Sequence, residues 1–271
     1  MNIERSRFCI NRKIAPTLSI DRFFKLVQRL GLNKVELRND MPGGKVTDGL
    51  SYMQIAEMAD KCGLDILTIN AVYPFNQLNE ETLKKTEGLL RDARGVGAKA
   101  LVLCPLNDGT PISDAVTIAA IKQLSELFAT FGIQGFVEPL GFPFSSLRSA
   151  VHSQHLIQEA GSTFKIMLDT FHHHLYEDAE KEFAAHIDIA GIGLVHLSGV
   201  EDQRPTTKLT DEERVMLTDK DVMENYRQVK RLEEMNYRGD YSFEPFSSTL
   251  ADWNEAEIEK QIEHSIELLL K

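Results

Sequence analysis

Phe136-Val137-Glu138-Pro139, Ile166-Met167-Leu168-Asp169, Leu194-Val195-His196 and Tyr241-Ser242-Phe243-Glu244-Pro245 are four short apolar runs within residues 134–246, each reaching a side chain able to bind a metal. Runs this short and this rich in β-branched and aromatic residues read as buried strands. A charged group at the end of such a strand is costly to bury unpaired, so four in succession predict one shared site.

Working outward, the same unit fills the rest of the chain. Gly31, Gly63, Gly97, Gly132, Gly161 and Gly191 each precede an apolar strand, and Gly239 precedes the last. Glycine belongs where a helix closes in the left-handed conformation. Strands are expected at Arg7–Asn11, Lys34–Arg38, Asp65–Asn70 and Ala100–Cys104 as well as at the four quoted runs. Between them lie capped amphipathic stretches. Ser19 precedes the stripe Phe23, Leu26, Val27, Leu30, and Ser51 with Gln54 forms a capping-box signature before Tyr52, Ile55, Ala59, Cys62. Asn79 precedes Leu83, Leu89, Leu90 and Ala93, and residues 113–131 carry Val116, Ile121, Leu124 and Phe128. The last helix is expected over 253–270, with Trp253, Ile258, Ile262, Ile266 and Leu269 on one face.

A strand and a helix recurring about every thirty residues is the size of a βα unit in a parallel sheet. Eight such units predict an α/β fold, a (β/α)₈ TIM barrel, with residues 1–271 as one barrel domain. A doubly wound open sheet usually has fewer strands, and its Gly-rich phosphate turn is missing. No Pro- or Ser-rich linker divides the chain. The polar insertion at 199–218 between strand seven and its helix reads as a lid or active-site loop.

Composition narrows the function. The formal net charge of −11 argues against nucleic acid, whose binding draws on Lys and Arg. Cys9, Cys62 and Cys104 include no CxxC pair, which suits a reducing compartment. The apolar run after Met1–Arg7 is too short for a signal-peptide core, so a cytoplasmic location is expected. No apolar stretch approaches the roughly 20 residues of a membrane helix. Tyr226 and Trp253 on the helices suit a homo-oligomer, although single surface aromatics need no partner.

In a barrel the C-terminal strand ends share one mouth, so Glu138, Asp169, His196 and Glu244 would converge. Three carboxylates and an imidazole suit one divalent metal ion, Mn, Mg, Co or Zn, with positions left for substrate. Any one of the four alone reads more readily as a structural ion pair or a solvated strand-end charge. Glu36 and Arg38 at the end of strand two, with Asn11 and Asn70, are expected to line the mouth as substrate-hydroxyl partners or to hold structural hydrogen bonds. In His172-His173-His174, neighbouring side chains point different ways, so at most one or two reach one ion. His152 and His155 are expected on the outer surface.

These motifs resemble the xylose-isomerase-like barrels, which include sugar isomerases and epimerases, inosose isomerases and dehydratases, and the endonuclease IV type of repair enzyme. The resemblance covers nearly the whole chain and is most specific in Phe-Val-Glu138-Pro, Leu-Asp169-Thr-Phe-His172, Val-His196-Leu and Phe-Glu244-Pro. It implies that Glu138, Asp169, His196 and Glu244 ligate one divalent ion and that His172 contacts substrate or supports the site. Asp202-Gln203-Arg204 resembles the family's Asp-x-Arg or Asp-x-His element, which makes Arg204 an expected contact to an anionic or polyhydroxyl substrate. The Lys-Asp after the histidine and the Pro-Gly-x-Gly that often follows are replaced here by Ser198-Gly199 and Leu217-Thr218-Asp219-Lys220.

Glu138 and Glu244 flanking a metal form an acid/base pair suited to enediolate proton transfer. The expected activity is isomerisation or epimerisation of a small polyhydroxy ketone, a keto-sugar or keto-cyclitol. Within the family the chain looks most like the inosose (2-keto-myo-inositol) isomerases. Its nearest rival is a dehydratase of an inosose or dehydroshikimate-like substrate. A repair nuclease would need more histidine ligands and a basic groove, and a non-enzymatic sugar-binding barrel is compatible with the same fold.

Overall fold

Eight strands, β1 Phe8–Asn11, β2 Lys34–Arg38, β3 Asp65–Val72, β4 Ala100–Leu103, β5 Gln134–Val137, β6 Lys165–Asp169, β7 Ile192–Leu197 and β8 Tyr241–Phe243, pair in sequence order. The computed structural model describes residues 1–271. Every neighbouring pair is parallel, and β8 returns to β1 with Tyr241 opposite Phe8, so the sheet is a closed barrel. The helices are α1 Ile20–Arg29, α2 Tyr52–Cys62, α3 Glu80–Val96, α4 Asp114–Phe131, α5 Ala150–Glu159, α6 Thr170–Leu175, α7 Ala179–His186, α8 Asn225–Glu234 and α9 Glu255–Leu270.

The helix ends follow from local chemistry. Ser19, Ser51, Asn79 and Ser113 each accept a backbone N–H at an N-cap, and the Ser51/Gln54 box is closed in both directions. At Gly63 the chain turns out of α2 at φ 64°, a conformation that costs a side-chain-bearing residue energy but not glycine.

Successive strand residues point to opposite faces. Val35, Leu37, Leu101, Leu103, Val137, Val195, Leu197, Tyr241 and Phe243 point outward into the layer shared with the helices. Each such side chain contributes about 1.5–3 kcal/mol through burial. The alternate residues fill the barrel. Val102, Met167 and Leu194 form an apolar interior layer, flanked by Leu67, Ala71 and Phe136. Gly193 makes room for it, since a Cβ there would overlap the Phe136 ring. One step of the alternation beyond this layer come Cys104, Glu138, Asp169 and His196, and beyond Ser242 comes Glu244. The site is therefore the next interior layer, at the C-terminal mouth.

Three local expectations differ from the structure. The connection after β6 holds two helices, α6 and α7, because the turn around Asp178 interrupts them; this puts His172, His173 and His174 on a helix. Val116 is 50% exposed, because the buried stripe of α4 runs through Thr117, Ala120, Ile121, Leu124 and Phe128, one residue along. Tyr52 is also exposed, lying across Gly95 of α3 with its hydroxyl donating to Asp92 at 2.6 Å. No helix is long and apolar enough to cross a membrane.

Candidate metal centre

Asp169 and His196 are direct partners across the β6–β7 ladder, and Ser242, two residues before Glu244, is the partner of His196 on β8. That register, with Glu138 one residue past β5, brings ligand atoms of Glu138, Asp169, His196 and Glu244 within 4.8 Å of one another. All four residues are buried.

The imidazole fixes how the cluster can be used. His196 Nε2 lies 3.0 Å from both oxygens of Glu36, so Nε2–H donates to that carboxylate. Nδ1 is then left facing Glu244 Oε2 at 2.9 Å and Glu138 Oε1 at 3.2 Å. A lone pair and carboxylate oxygens aimed at one another repel unless a cation lies among them. Burial alone would drive a proton off His196, but Glu244 and Glu36 hold its pKa well above the usual imidazole value. A divalent cation satisfies the same acceptors with two charges, so this donor set fits a metal ion.

Glu36 itself is fully buried inside the barrel and does not line the mouth. Besides His196 it accepts hydrogen bonds from Thr68 Oγ1 at 2.6 Å, Asn70 Nδ2 at 3.0 Å, Asn11 Nδ2 at 3.1 Å and the Ser242 hydroxyl. Against the cost of burial, His196 holds its carboxyl down at about 2. Of the two roles expected for Glu36, the hydrogen bonds are those of a group that orients His196. Glu36→Gln is expected to weaken divalent-metal affinity about 10- to 100-fold, as partners of metal-bound histidines commonly do. Chelator competition measures this, and an unchanged affinity would mean that barrel packing alone orients His196.

The mouth opens as a cavity of about 330 Å³ whose wall includes Arg38, Asn70, Glu138, His172, Arg214 and Glu244. Arg38 bonds Glu244 through Nη1 and forks onto Asp40 at 2.7 and 2.9 Å. Arg214 Nη2 lies 2.6 Å from Asp169 Oδ2 and 3.2 Å from Glu244 Oε2. Phe246 packs beneath both guanidinium groups, at 5.1 Å from Arg38 and 4.5 Å from Arg214. Although burial opposes it, His196 and Arg38 hold the Glu244 carboxyl well below the usual range. Cys104 Sγ donates to Glu138 Oε2 at 3.4 Å, its thiol kept protonated first by burial and then by Glu138.

Arg204 is not brought to the mouth. It is about half-exposed and pairs with Asp202 and Glu213 on the loop surface. Arg214, ten residues on, enters instead. The available signal was the apolar Val215-Met216-Leu217 directly after it. Met216 and Leu217 anchor in the core, while Gly199 and Val215 exchange backbone hydrogen bonds, so the loop is tied down and its arginine turned inward.

His172 is buried against Phe142 and Phe171, and its Nδ1 finds no partner in the protein. His173 bonds Glu180 at 2.7 Å, while His152 and His155 on the outer surface of α5 pair with Asp114 of α4 and Glu159 of α5. Burial, with Arg214 adding to it, pushes His172 down to about 4. The unfolded chain therefore takes up a proton here that the folded one refuses. This contribution to stability is complete above pH about 6.5 and is lost as pH falls towards 4. His172→Asn is expected to lose about 2 kcal/mol less stability than wild type between pH 7 and pH 5, measured by urea unfolding. Equal losses would place the titration elsewhere.

Residues 24–271 match the xylose isomerase-like TIM barrel family. No match was found among curated proteins. Among solved structures, a xylose isomerase domain containing protein from Salmonella typhimurium LT2 is 71% identical over 100% of both chains, with a TM-score of 0.99. The IolI protein with a binding zinc atom is 19% identical over 97% of this chain and 98% of its own, with a TM-score of 0.84. D-psicose 3-epimerase, in the presence of D-fructose, is 15% identical over 97% of each chain, with a TM-score of 0.67. At those last two identities the likeness is one of fold. With its closed barrel, its strand-end motifs and a match over almost its full length, the chain belongs to the xylose isomerase-like TIM barrel family.

Proposed function

We propose that this chain is a divalent-metal-dependent isomerase or epimerase of a small polyhydroxy ketone, a keto-sugar or keto-cyclitol such as 2-keto-myo-inositol. The observation that carries the reading is the convergence of Glu138 and Glu244 with Asp169 and His196 beside a polar cavity. The fold shared with an epimerase and with a zinc-bound relative supports it.

Glu138, Asp169, His196 and Glu244 would hold the ion. When bound, it supplies Lewis acidity that favours negative charge on a carbonyl oxygen. Glu138 and Glu244 approach from β5 and β8, different sides of the mouth. One carboxylate takes the proton from the carbon beside the carbonyl, and the other returns a proton. Return to the opposite face of the same carbon epimerises the substrate; return to the former carbonyl carbon, with the hydroxyl proton passing between the two enediolate oxygens, isomerises it. The Arg38 and Arg214 guanidiniums beside Glu244 stabilise charge developing in the cavity. Asn70 and His172 offer hydrogen bonds to substrate hydroxyls, and Phe142 and Phe246 pack on its C–H faces.

The test is incubation of the Mn²⁺-loaded protein with 2-keto-myo-inositol and a panel of ketoses in D₂O, with NMR detection. Deuterium appearing at the carbon beside the carbonyl, followed by a rearranged or epimerised product, is the expected result. An enone absorbance would instead identify a dehydratase, and no exchange with any ketose would overturn the reading.

A further inference from the structure

We propose that the outer rim of the mouth is a second subsite, one that stacks a sugar ring carried by the ketose, so that the substrate class extends to two-ring keto-glycosides. The proposal rests on the polyhydroxy-ketone reading of the inner cavity. An aromatic ladder leads out of that cavity. The His172 ring meets Phe142 edge-on at 5.2 Å, and Phe142 stacks on Phe144 at 5.2 Å with the planes 6° apart. Phe142 is buried in the cavity wall, whereas Phe144 is 49% exposed just beyond it.

Tyr73 also lines the cavity and is 51% exposed. Its hydroxyl accepts the Asn107 backbone N–H at 3.2 Å, and two residues on Gly109 N–H donates to the Phe144 carbonyl at 2.9 Å. One short loop thus fixes both exposed rings. Asn107, which lines the cavity wall with Tyr73, has a buried side-chain oxygen with no protein partner.

Aromatic faces interleaved with an amide match a pyranose ring, which offers C–H faces for stacking and hydroxyls for hydrogen bonds. A protein partner fits less well. Two side chains bury far less than the roughly 1,200 Å² of a small stable protein interface. Their continuity with the cavity also favours a ligand that enters it.

The test uses the Mg²⁺-loaded protein with D-fructose as a one-ring probe and maltulose, a glucosyl-fructose, as a two-ring probe. Dissociation constants and saturation-transfer NMR are recorded for each. Maltulose should bind roughly three- to ten-fold more tightly than fructose, with saturation reaching its glucose-ring protons. Phe144→Ser should erase that ratio and Phe144→Tyr should keep it. Fructose binding without any gain for maltulose, or a gain that survives Phe144→Ser, would overturn the subsite alone. If neither probe binds, the subsite falls, while the reading of the inner cavity stands or falls separately with the deuterium exchange of 2-keto-myo-inositol and the ketose panel.

Discussion

Glu244→Gln should bind a divalent ion at least about 100-fold more weakly than wild type and exchange the substrate proton about 10²- to 10⁴-fold more slowly. Glu244 joins three cationic groups of the centre, His196, Arg38 and Arg214. One of its oxygens faces His196 Nδ1 and Arg214, and the other faces Arg38. The amide keeps the volume but removes the charge, and in either orientation its NH2 replaces an acceptor, facing Arg38 in one and Arg214 with the metal position in the other. Metal titration with a competing chelator reads the first loss and deuterium exchange the second. A variant that keeps metal affinity but loses exchange would make Glu244 an acid/base group without a ligand role. One that keeps both would remove it from the site.

Arg214→Met should destabilise the metal-free protein by about 3–5 kcal/mol, the usual consequence of leaving buried carboxylates without their partner. The Arg214 side chain is 2% exposed, and the Asp169 and Glu244 side chains it joins are 0% and 4% exposed. Removing it leaves two anions facing each other with Arg38 and His196 as the remaining cations. A saturating divalent ion should narrow the gap, because it neutralises the same carboxylates. Arg214→Lys should lie between wild type and Arg214→Met, since an ammonium supplies charge without the planar fork that reaches Asp169, Glu244 and Ser198 together. Urea unfolding with and without metal measures all three. A loss below about 1 kcal/mol in Arg214→Met would show that these carboxylates need no guanidinium.

The barrel could be read from the chain because its determinants are local. Ser51 and Gln54 start a helix, Gly63 ends it and Lys34–Arg38 alternate between two faces within a few residues of sequence. The convergence of Glu138, Asp169, His196 and Glu244 was legible for the same reason. A charged residue completing an apolar strand has one place to go in a closed parallel barrel, the mouth. The expected buried face failed where periodicity was ambiguous by one position, as at Val116, where a threonine rather than the valine leads the buried stripe.

Roles set by tertiary contacts were not legible. Whether Glu36 faces substrate or supports His196 depends on hydrogen bonds from β1, β3, β7 and β8, residues 25 to 206 positions away in sequence. Arg204 and Arg214 lie on one polar loop, and short-range pattern favoured the first. The path of the loop favours the second, because Met216 and Leu217 are drawn into the core and Arg214 follows them inward. Local sequence thus specified the scaffold and the four converging strand ends, while long-range packing decided which charged groups support them.

Whether the four strand-end residues form one metal centre is read most directly from the divalent-ion content per chain after loading and desalting, by elemental analysis. Wild type should hold about one ion per chain, with a marked loss in Glu244→Gln. If Mn²⁺, Mg²⁺, Co²⁺ and Zn²⁺ all fail to bind wild type, the cluster of Glu138, Asp169, His196 and Glu244 is a structural charge network held by Arg38 and Arg214, and the metal-dependent function fails with it.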